Sequence, residues 1–465
     1  MKILFIIPDY DHYISHFPSP IAYLISFINR NNDFDIFILN QDVYHFPDSY
    51  ITDYINKNKI DITAISSMSG YYQYKRLSEI CTAIRKSNHK SNLVLGGHGP
   101  SAEPAFYLKK TSADYVVLGE GEVAFQNLVN ALSNNQSTKN IKGIAYYDGE
   151  KYTVNEREKQ IKNIDKIPFP AWDLFPINHY ALNHNMVGKA ISRTKRCMPI
   201  ISSRGCLYRC NFCYRLYKGY RVRSPESIVE EIQVLKKNYW INHITFFDEL
   251  LMSTEDRITE VCENFLKNDL NITFDCQGRL NTAKPKLLKL MKSAGCVSIN
   301  YGIESLDQNV LDKMNKNQTV KEIVKGVKST IDADIHPGLN FIFGNIGDTS
   351  ESIEKALSFM LEHHTFYRNW SISPVTPFPG TKLFQKAIEM GAIKDVEDFY
   401  KKHTNTDLLT VNFTEMTDDE IYKLLYDSNC KLLKHYFDKI LSNNLQSFEK
   451  LYFEKDSSFR GLRHS

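Results

Sequence analysis

The first third of the chain alternates short apolar runs with amphipathic segments. Lys2 to Ile7 is such a run, and Asp35 to Leu39, Ile62 to Ser66, Leu93 to Leu95 and Tyr115 to Leu118 repeat it. Between them, Ile21 to Ile28 reads as a helix, and Leu77, Ile80, Cys81 and Ile84 recur at helical spacing. Strands buried on both faces read as unbroken apolar runs, so residues 1–135 are expected to form a doubly wound parallel sheet covered by helices. Ile144 to Tyr147 and Lys151 to Val154, around Asp148-Gly149, predict a hairpin. The stretch Ile167-Pro168-Phe169-Pro170-Ala171-Trp172-Asp173-Leu174 predicts a semi-rigid connector, so 136–195 is assigned as hairpin and Pro-rich linker.

The alternation resumes over 196–390. Met198 to Ile201, His243 to Phe247, Ile272 to Asp275, Val297 to Tyr301, Gly338 to Phe343 and Trp370 to Ser373 predict six strands, each followed by a helical pattern. Ser224-Pro225-Glu226 has the N-cap, first-turn proline and acid of a helix start, and Thr319-Val320-Lys321-Glu322 spells a capping box. Residues 391–465 are expected to be a helical extension. Its aromatics, among them Phe399, Tyr400, Tyr422, Tyr426, Tyr436, Phe437, Tyr452 and Phe453, read as packing residues or as a substrate wall. Ser457 to Ser465 is expected to be frayed.

Composition narrows the class. The 465 residues allow two or three domains, and 42% hydrophobic with 24% charged residues is the balance of a globular enzyme. A net charge of +3 with scattered lysines does not point to nucleic acid, and no apolar run reaches membrane-spanning length. The first run stops at Pro8-Asp9, too short for a signal-peptide core. Nine cysteines, an odd number, argue against a disulfide framework and for a reducing cytoplasm. Cys81, Cys262, Cys276 and Cys296 read as small buried hydrophobes, and Cys197 and Cys430 receive no role.

Three cysteines differ. Arg204-Gly205-Cys206-Leu207-Tyr208-Arg209-Cys210-Asn211-Phe212-Cys213 sets thiols in the pattern C-x3-C-x2-C just after a strand. An iron–sulfur cube normally takes four thiolates, so three leave one iron open to another ligand. A zinc site is the alternative, but zinc wants four ligands, usually in paired C-x2-C units. The spacing, Phe212 before the last cysteine and the preceding strand resemble the radical S-adenosylmethionine (radical SAM) enzymes. The resemblance implies a [4Fe-4S] cluster on Cys206, Cys210 and Cys213, SAM chelating the open iron, and cleavage of SAM to a 5′-deoxyadenosyl radical. It also implies that the six strand–helix units form a partial (β/α)6 barrel.

Glycine clusters follow two strands of the first region, at Gly96-Gly97-His98 and at Gly119-Glu120-Gly121, and Ser66-Ser67-Met68-Ser69-Gly70 follows a third. The carboxyl ends of strands in an open α/β sheet form a ligand crevice, and glycines there let backbone approach a small molecule. The three loops resemble the cobalamin-binding domain found ahead of the radical SAM domain in one subgroup. That likeness implies cobalamin contacts at Ser66, Met68, Ser69, Gly70, Gly96, Gly97, His98, Gly119, Glu120 and Gly121. No D-x-H-x-x-G motif is present, and neither Asp11-His12 nor His45 matches it. The likeness then implies cobalamin without a protein ligand on cobalt, with Met68 to Tyr72 under the corrin.

Polar groups at the strand ends of the second region are the remaining candidates. Asp248 and Glu249 suit an ammonium, and Arg279 suits a carboxylate. Gly302-Ile303-Glu304-Ser305 matches the subgroup's G-[IV]-E-S, which implies a SAM contact at Glu304. Gly344 and Gly347 sit where the subgroup reads G-x-P-G-E-T, with Ile346 and Asp348 replacing Pro and Glu. Phe212 joins the SAM set. No residue is assigned as a catalytic acid or base.

The resemblance implies methylation of an unactivated carbon of a small-molecule, peptide or lipid substrate. Cyclisation, ring contraction or oxidation is the alternative, and a cobalamin- or cluster-binding sensor is a third reading. An electron donor such as flavodoxin or ferredoxin is the expected partner.

Overall fold

Five apolar segments form parallel strands: β1 (Lys2–Ile7), β2 (Asp35–Asn40), β3 (Ile62–Ser66), β4 (Asn92–Gly96) and β5 (Tyr115–Val117). The computed structural model describes residues 1–10, 16–29, 34–182 and 195–456. Asp11-His12 and the expected frayed end at 457–465 lie outside the described residues. The strand order is β2-β1-β3-β4-β5, which reverses between β1 and β3 and opens a crevice at their carboxyl ends. Alternate residues of β1 feed opposite layers. Ile3 and Phe5 pack with helices Ser19–Asn29 and Gly121–Ser133, while Leu4 and Ile6 pack with Asp48–Asn58, Tyr71–Arg85 and Pro104–Thr111.

The hairpin, β6 (Ile144–Asp148) and β7 (Lys151–Val154), is not a linker element. It extends the same sheet antiparallel, with Ile144 opposite Val117, and covers the otherwise open edge of the three-residue β5. The Pro-rich stretch, expected as a semi-rigid connector, is packed into the core. Trp172 and Phe175 are buried, and with Tyr180 they surround Phe17 at ring separations of 4.5, 5.2 and 5.5 Å. Aromatic burial between the two sheets overrides the proline signal, and a single apolar cluster runs from Phe5 to Ile244.

The second unit begins with β8 (Cys197–Ile200). Next comes an antiparallel ribbon, β9 (Ser203–Gly205) and β10 (Tyr220–Val222), which the apolar pattern does not predict. Five more strands follow: β11 (His243–Phe246), β12 (Thr273–Gly278), β13 (Cys296–Glu304), β14 (His336–Phe343) and β15 (Ile372–Pro374). Together with β8 they make one parallel sheet in chain order, β8 and β15 at its edges, with a helix after every strand. Right-handed crossovers in strict order curl such a sheet into a partial (β/α)6 barrel. Helix starts follow the sequence: Ser224 caps Pro225–Tyr239, and Thr319 and Glu322 form the capping box of Val320–Asp332.

The extension ends in a long helix, Asp418–Phe453, whose start is set by a Thr417/Glu420 capping box. Phe399, Tyr400 and Tyr436 are buried, as packing residues should be, but Tyr422, Tyr426, Phe437, Tyr452 and Phe453 are exposed. Past Tyr436 no described residue of this helix is buried, because it no longer has a layer to pack on. Among the described residues no helix is long and apolar enough to cross a membrane.

Candidate active site

The ribbon β9/β10 closes the loop that carries the three cysteines. Gly205, just before Cys206, has φ +89°, and a Cβ there would stand 2.2 Å from the Gly219 carbonyl oxygen, so only glycine lets the two strands meet. Beyond the ribbon the loop is tied to the segment after β13. Asn211 N donates to the Met314 carbonyl at 2.9 Å, Asn211 Nδ2 to Lys313 O at 3.0 Å, and Asn315 Nδ2 to Arg209 O at 2.7 Å.

Cys206 and Cys210 are half-buried, and Cys213 is exposed. Burial, Cys210, Glu249 and Cys206 push the Cys213 thiol up to about 12, and burial, Glu249 and Cys210 raise Cys206, so the three thiols and Glu249 share one electrostatic neighbourhood. Among the described residues no three His, Cys, Asp or Glu side chains are gathered as a preformed metal cage. A thiol held up in this way loses its proton when a metal binds it.

The strand-end candidates divide. Asp248 is not open to a ligand: its carboxylate accepts from Ser202 N at 2.6 Å, Ser202 Oγ at 2.5 Å and Ser203 Oγ at 2.8 Å, and it is 2% exposed. It ties the end of β11 to the strand entering the cysteine loop, and its expected contact with an ammonium is withdrawn. Glu249 instead faces a cavity, and surrounding protein raises its carboxyl to about 7 even though Arg215 opposes the rise. Arg279 donates from Nη2 to the carbonyls of Lys316 and Asn317 and stacks on Tyr208 of the cysteine loop, with its Cζ 3.5 Å from the ring centroid. Glu304 sits at φ +70° beside a register shift in β13 and pairs with Lys316 Nζ at 2.9 Å. Such a conformation in a non-glycine residue is a strain that recurs at functional sites. Phe212 packs on the cluster of Val375, Phe384 and Phe399, with Lys316 Nζ 5.9 Å from its ring.

Gly344 and Gly347 have φ +93° and +91°. The Asp348 carboxylate folds back onto this turn, accepting from Gly344 N at 3.1 Å and Asn345 N at 2.9 Å, so the shorter acid acts as a turn brace. Arg279 Nε, Asn281 Oδ1 and both polar atoms of the Asn345 side chain are buried without a partner among the described residues. Buried polar atoms are almost always paired. This set, spread over the ends of β12 and β14, fits a small molecule with donors and acceptors of its own, as SAM has.

The first sheet presents its loops to the ends of β8 and β11 and to the ribbon. A cavity of about 210 Å³ is lined by Ser66, Met68, Gly96, Gly97, His98, Gly119, Glu120 and Gly121, all expected from sequence, and also by Arg204 and Tyr217 from the cysteine region. Ser69 and Gly70 do not line it; Gly70 caps the helix Tyr71–Arg85 and its carbonyl accepts from Tyr74 N. Gly97 (φ +93°) lets β4 run against the Ser66–Ser67 backbone, where a Cβ would stand 2.4 Å from the Ser67 oxygen. At Gly96 a Cβ would meet nothing closer than 4.0 Å, so this glycine leaves the crevice open. His98 lies edge-on to Tyr214 at 5.8 Å, and burial lowers its imidazole below the ordinary range, which keeps it neutral. Glu120 lines the cavity, but its carboxylate is taken up by Arg221 and Arg204. A second cavity of about 640 Å³ joins the two units: Met68, His98 and Asp42 face Phe247, Glu249 and Ile201 across it.

Sequence reasoning passed over Ser202, Ser203, Tyr208, Tyr217 and Lys316, whose partners are distant in the chain. Arg204 and Glu122 stood inside motifs already noticed, and only their mutual contact was hidden.

A partial barrel whose first loop bears three cysteines, with orphaned polar groups at its strand ends, defines the radical SAM class, here sharing a cavity with a doubly wound sheet. Comparison with known proteins agrees. The radical SAM superfamily model matches residues 200–360 and the B12 binding domain model residues 15–129. The chain belongs to the radical SAM proteins that carry a B12-binding domain, whose cofactors are a [4Fe-4S] cluster, SAM and cobalamin. It is 29% identical over 436 residues to an uncharacterized methyltransferase of Pyrococcus horikoshii, PH0819, covering 91% of each chain. It is 27% identical to the anaerobic magnesium-protoporphyrin IX monomethyl ester cyclase of Rubrivivax gelatinosus, over 88% of this chain and 73% of that one. Among solved structures, the cobalamin-dependent radical SAM enzyme OxsB superposes with a TM-score of 0.65 at 17% identity, over 91% of this chain. The chain spans 60% of the length of OxsB, so that likeness speaks for the fold.

Proposed function

We propose that this protein is a cobalamin-dependent radical SAM methyltransferase acting on an unactivated carbon of a small-molecule, peptide or lipid substrate. The observation that carries the reading is the 640 Å³ cavity, which is walled by the strand ends of both units. When bound, the cluster with SAM supplies a hydrogen-abstracting radical, and cobalamin supplies the methyl group. Cys206, Cys210 and Cys213 would hold the cluster, each giving up its proton. Glu249 is the acid open to the SAM ammonium, Arg279 offers Nε toward a carboxylate, and Asn345 and the Gly344–Gly347 turn offer polar edges to the adenine. Met68, Gly96, Gly97, His98 and the Gly119–Gly121 loop would cradle the corrin, with neutral His98 close to the cysteine loop. Apolar side chains, Ile7, Phe17, Ile21 and Phe247, exclude water from the space between, which protects a reactive intermediate.

The domains read from sequence are retained as part of this proposal, with the hairpin now in the first sheet. A reducing cytoplasm is supported by nine cysteines that are all free. A flavodoxin or ferredoxin would be the electron donor. The cyclase relative keeps the second reading alive, namely radical chemistry without methyl transfer. Both are tested on anaerobically reconstituted protein with SAM and a reductant, after iron and cobalt analysis. 5′-Deoxyadenosine together with S-adenosylhomocysteine is the expected result. 5′-Deoxyadenosine alone supports the cyclase-type reading, and neither product, in a chain loaded with iron and cobalt, overturns both. Cys206→Ala should abolish iron loading and product.

A further inference from the structure

Two arginines face each other across the ribbon that closes the cysteine loop: Arg204 on β9 is the register partner of Arg221 on β10. Like charges directly opposite each other destabilise an antiparallel pair, so the ribbon by itself disfavours this register. The compensation comes from the other unit. Arg204 Nη2 donates to Glu122 Oε1 at 2.5 Å, and Arg204 Nη1 lies 3.5 Å from Glu120 Oε1. Arg221 Nη1 donates to Glu120 Oε2 at 3.1 Å and to the Ile161 carbonyl at 2.7 Å, while its Nη2 pairs with Glu120 Oε1. The Tyr217 ring lies 5.9 Å from the Arg204 guanidinium and 5.8 Å from that of Arg221.

Two positive and two negative side chains are thus balanced out of water: Glu120 and Glu122 are each 7% exposed and Arg204 8%. Removing one member would leave an uncompensated buried charge, so the four act as a unit. Their positions give the unit its meaning. Glu120 and Glu122 flank Gly121 where the helix Gly121–Ser133 starts, beside the smaller cavity, whereas Arg204 is two residues before Cys206. The pair therefore joins one cofactor loop to the other.

We propose that Arg204 is a positioning residue that couples the two cofactor loops. With Glu120 and Glu122 seated, the ribbon closes and the cysteine loop takes the shape that holds the cluster. A ligand that binds against the Gly119–Glu122 turn and helix start then tightens the cluster site, and by linkage the cluster tightens binding of that ligand by the same factor. This inference rests on the cofactor assignment proposed above.

The test is an anaerobic absorbance titration with hydroxocobalamin, on the full chain with its cluster reconstituted and again after iron chelation. In the wild type the cluster should tighten binding about tenfold, within the usual range of such couplings. Adding cobalamin should also change the electron paramagnetic resonance signal of the reduced cluster. In Arg204→Gln the affinity ratio should fall to one and the signal should no longer respond. The swap Arg204→Glu with Glu122→Arg, which keeps the charges balanced, should restore part of the ratio. If Arg204→Gln does not fold, Arg204→Lys keeps the charge but not the fork and should give an intermediate ratio.

A wild-type ratio of one, with both cofactors bound, overturns the coupling and leaves the proposed function standing. A wild type that binds no cobalamin or no iron overturns both. A full ratio retained in Arg204→Gln, or in Arg204→Lys where that is the variant measured, overturns the role of Arg204. So does a variant that binds both cofactors more weakly while keeping the ratio, since that is what a merely structural residue would do.

Discussion

Asp248 and Glu249 are neighbours in sequence and opposite in role. The first is sealed among Ser202 and Ser203, the second opens to the cavity. Asp248→Ala would leave the Ser202 amide and two hydroxyls unsatisfied in a buried site, at a cost of about 2–4 kcal/mol, measurable by urea unfolding. Wild-type stability with only SAM affinity lost would return Asp248 to a direct contact. Asp42 provides a pH test. Burial raises its carboxyl to about 7 from an ordinary 3.8, although the Tyr180 hydroxyl, donating to it at 3.0 Å, opposes the rise. The folded chain therefore keeps a proton that the unfolded chain releases near pH 4, so this residue's contribution to stability falls as pH rises from about 4 through 7. Asp42→Asn should remove that fall, and melting temperatures at pH 5 and pH 8 should differ less in the variant than in the wild type.

At the scale of elements, the short ribbon β9/β10 decides the shape of the cysteine loop. The ribbon depends on one glycine, because Gly205 has a left-handed φ and a Cβ added there would stand 2.2 Å from the Gly219 carbonyl oxygen. Gly205→Ala should open the ribbon and cut iron loading several-fold, with the helical far-ultraviolet signal unchanged. Iron content equal to the wild type would show that the cysteines organise their loop unaided. The sequence could not announce this ribbon. Ser203 to Gly205 and Tyr220 to Val222 are three residues each, too short for a strand period to be read, so they form only because their partners are brought together. The long strands behaved otherwise: β1 and β3 match their expected bounds because buried parallel strands must be continuously apolar.

For the whole molecule, the two sheets share one core through Phe17, Trp172 and Phe175. Urea unfolding should therefore be a single transition. Trp172→Ala should lower its midpoint by the equivalent of about 3–5 kcal/mol, the usual cost of emptying a buried aromatic site. Two separate wild-type transitions would show that the units fold independently. The sequence by itself determined both α/β units, because strand and helix periodicities are local. It also marked the cysteine triad and the glycine-rich loops, because their chemistry is written in short spacings. Only the tertiary structure decided which polar groups remain open to ligands. Asp248, Glu120 and Glu304 each read as ligand contacts, yet Ser202, Arg221 and Lys316 engage them. Those pairings join residues 12 to 101 positions apart, and a buried carboxylate takes whatever donor or cation folding places beside it.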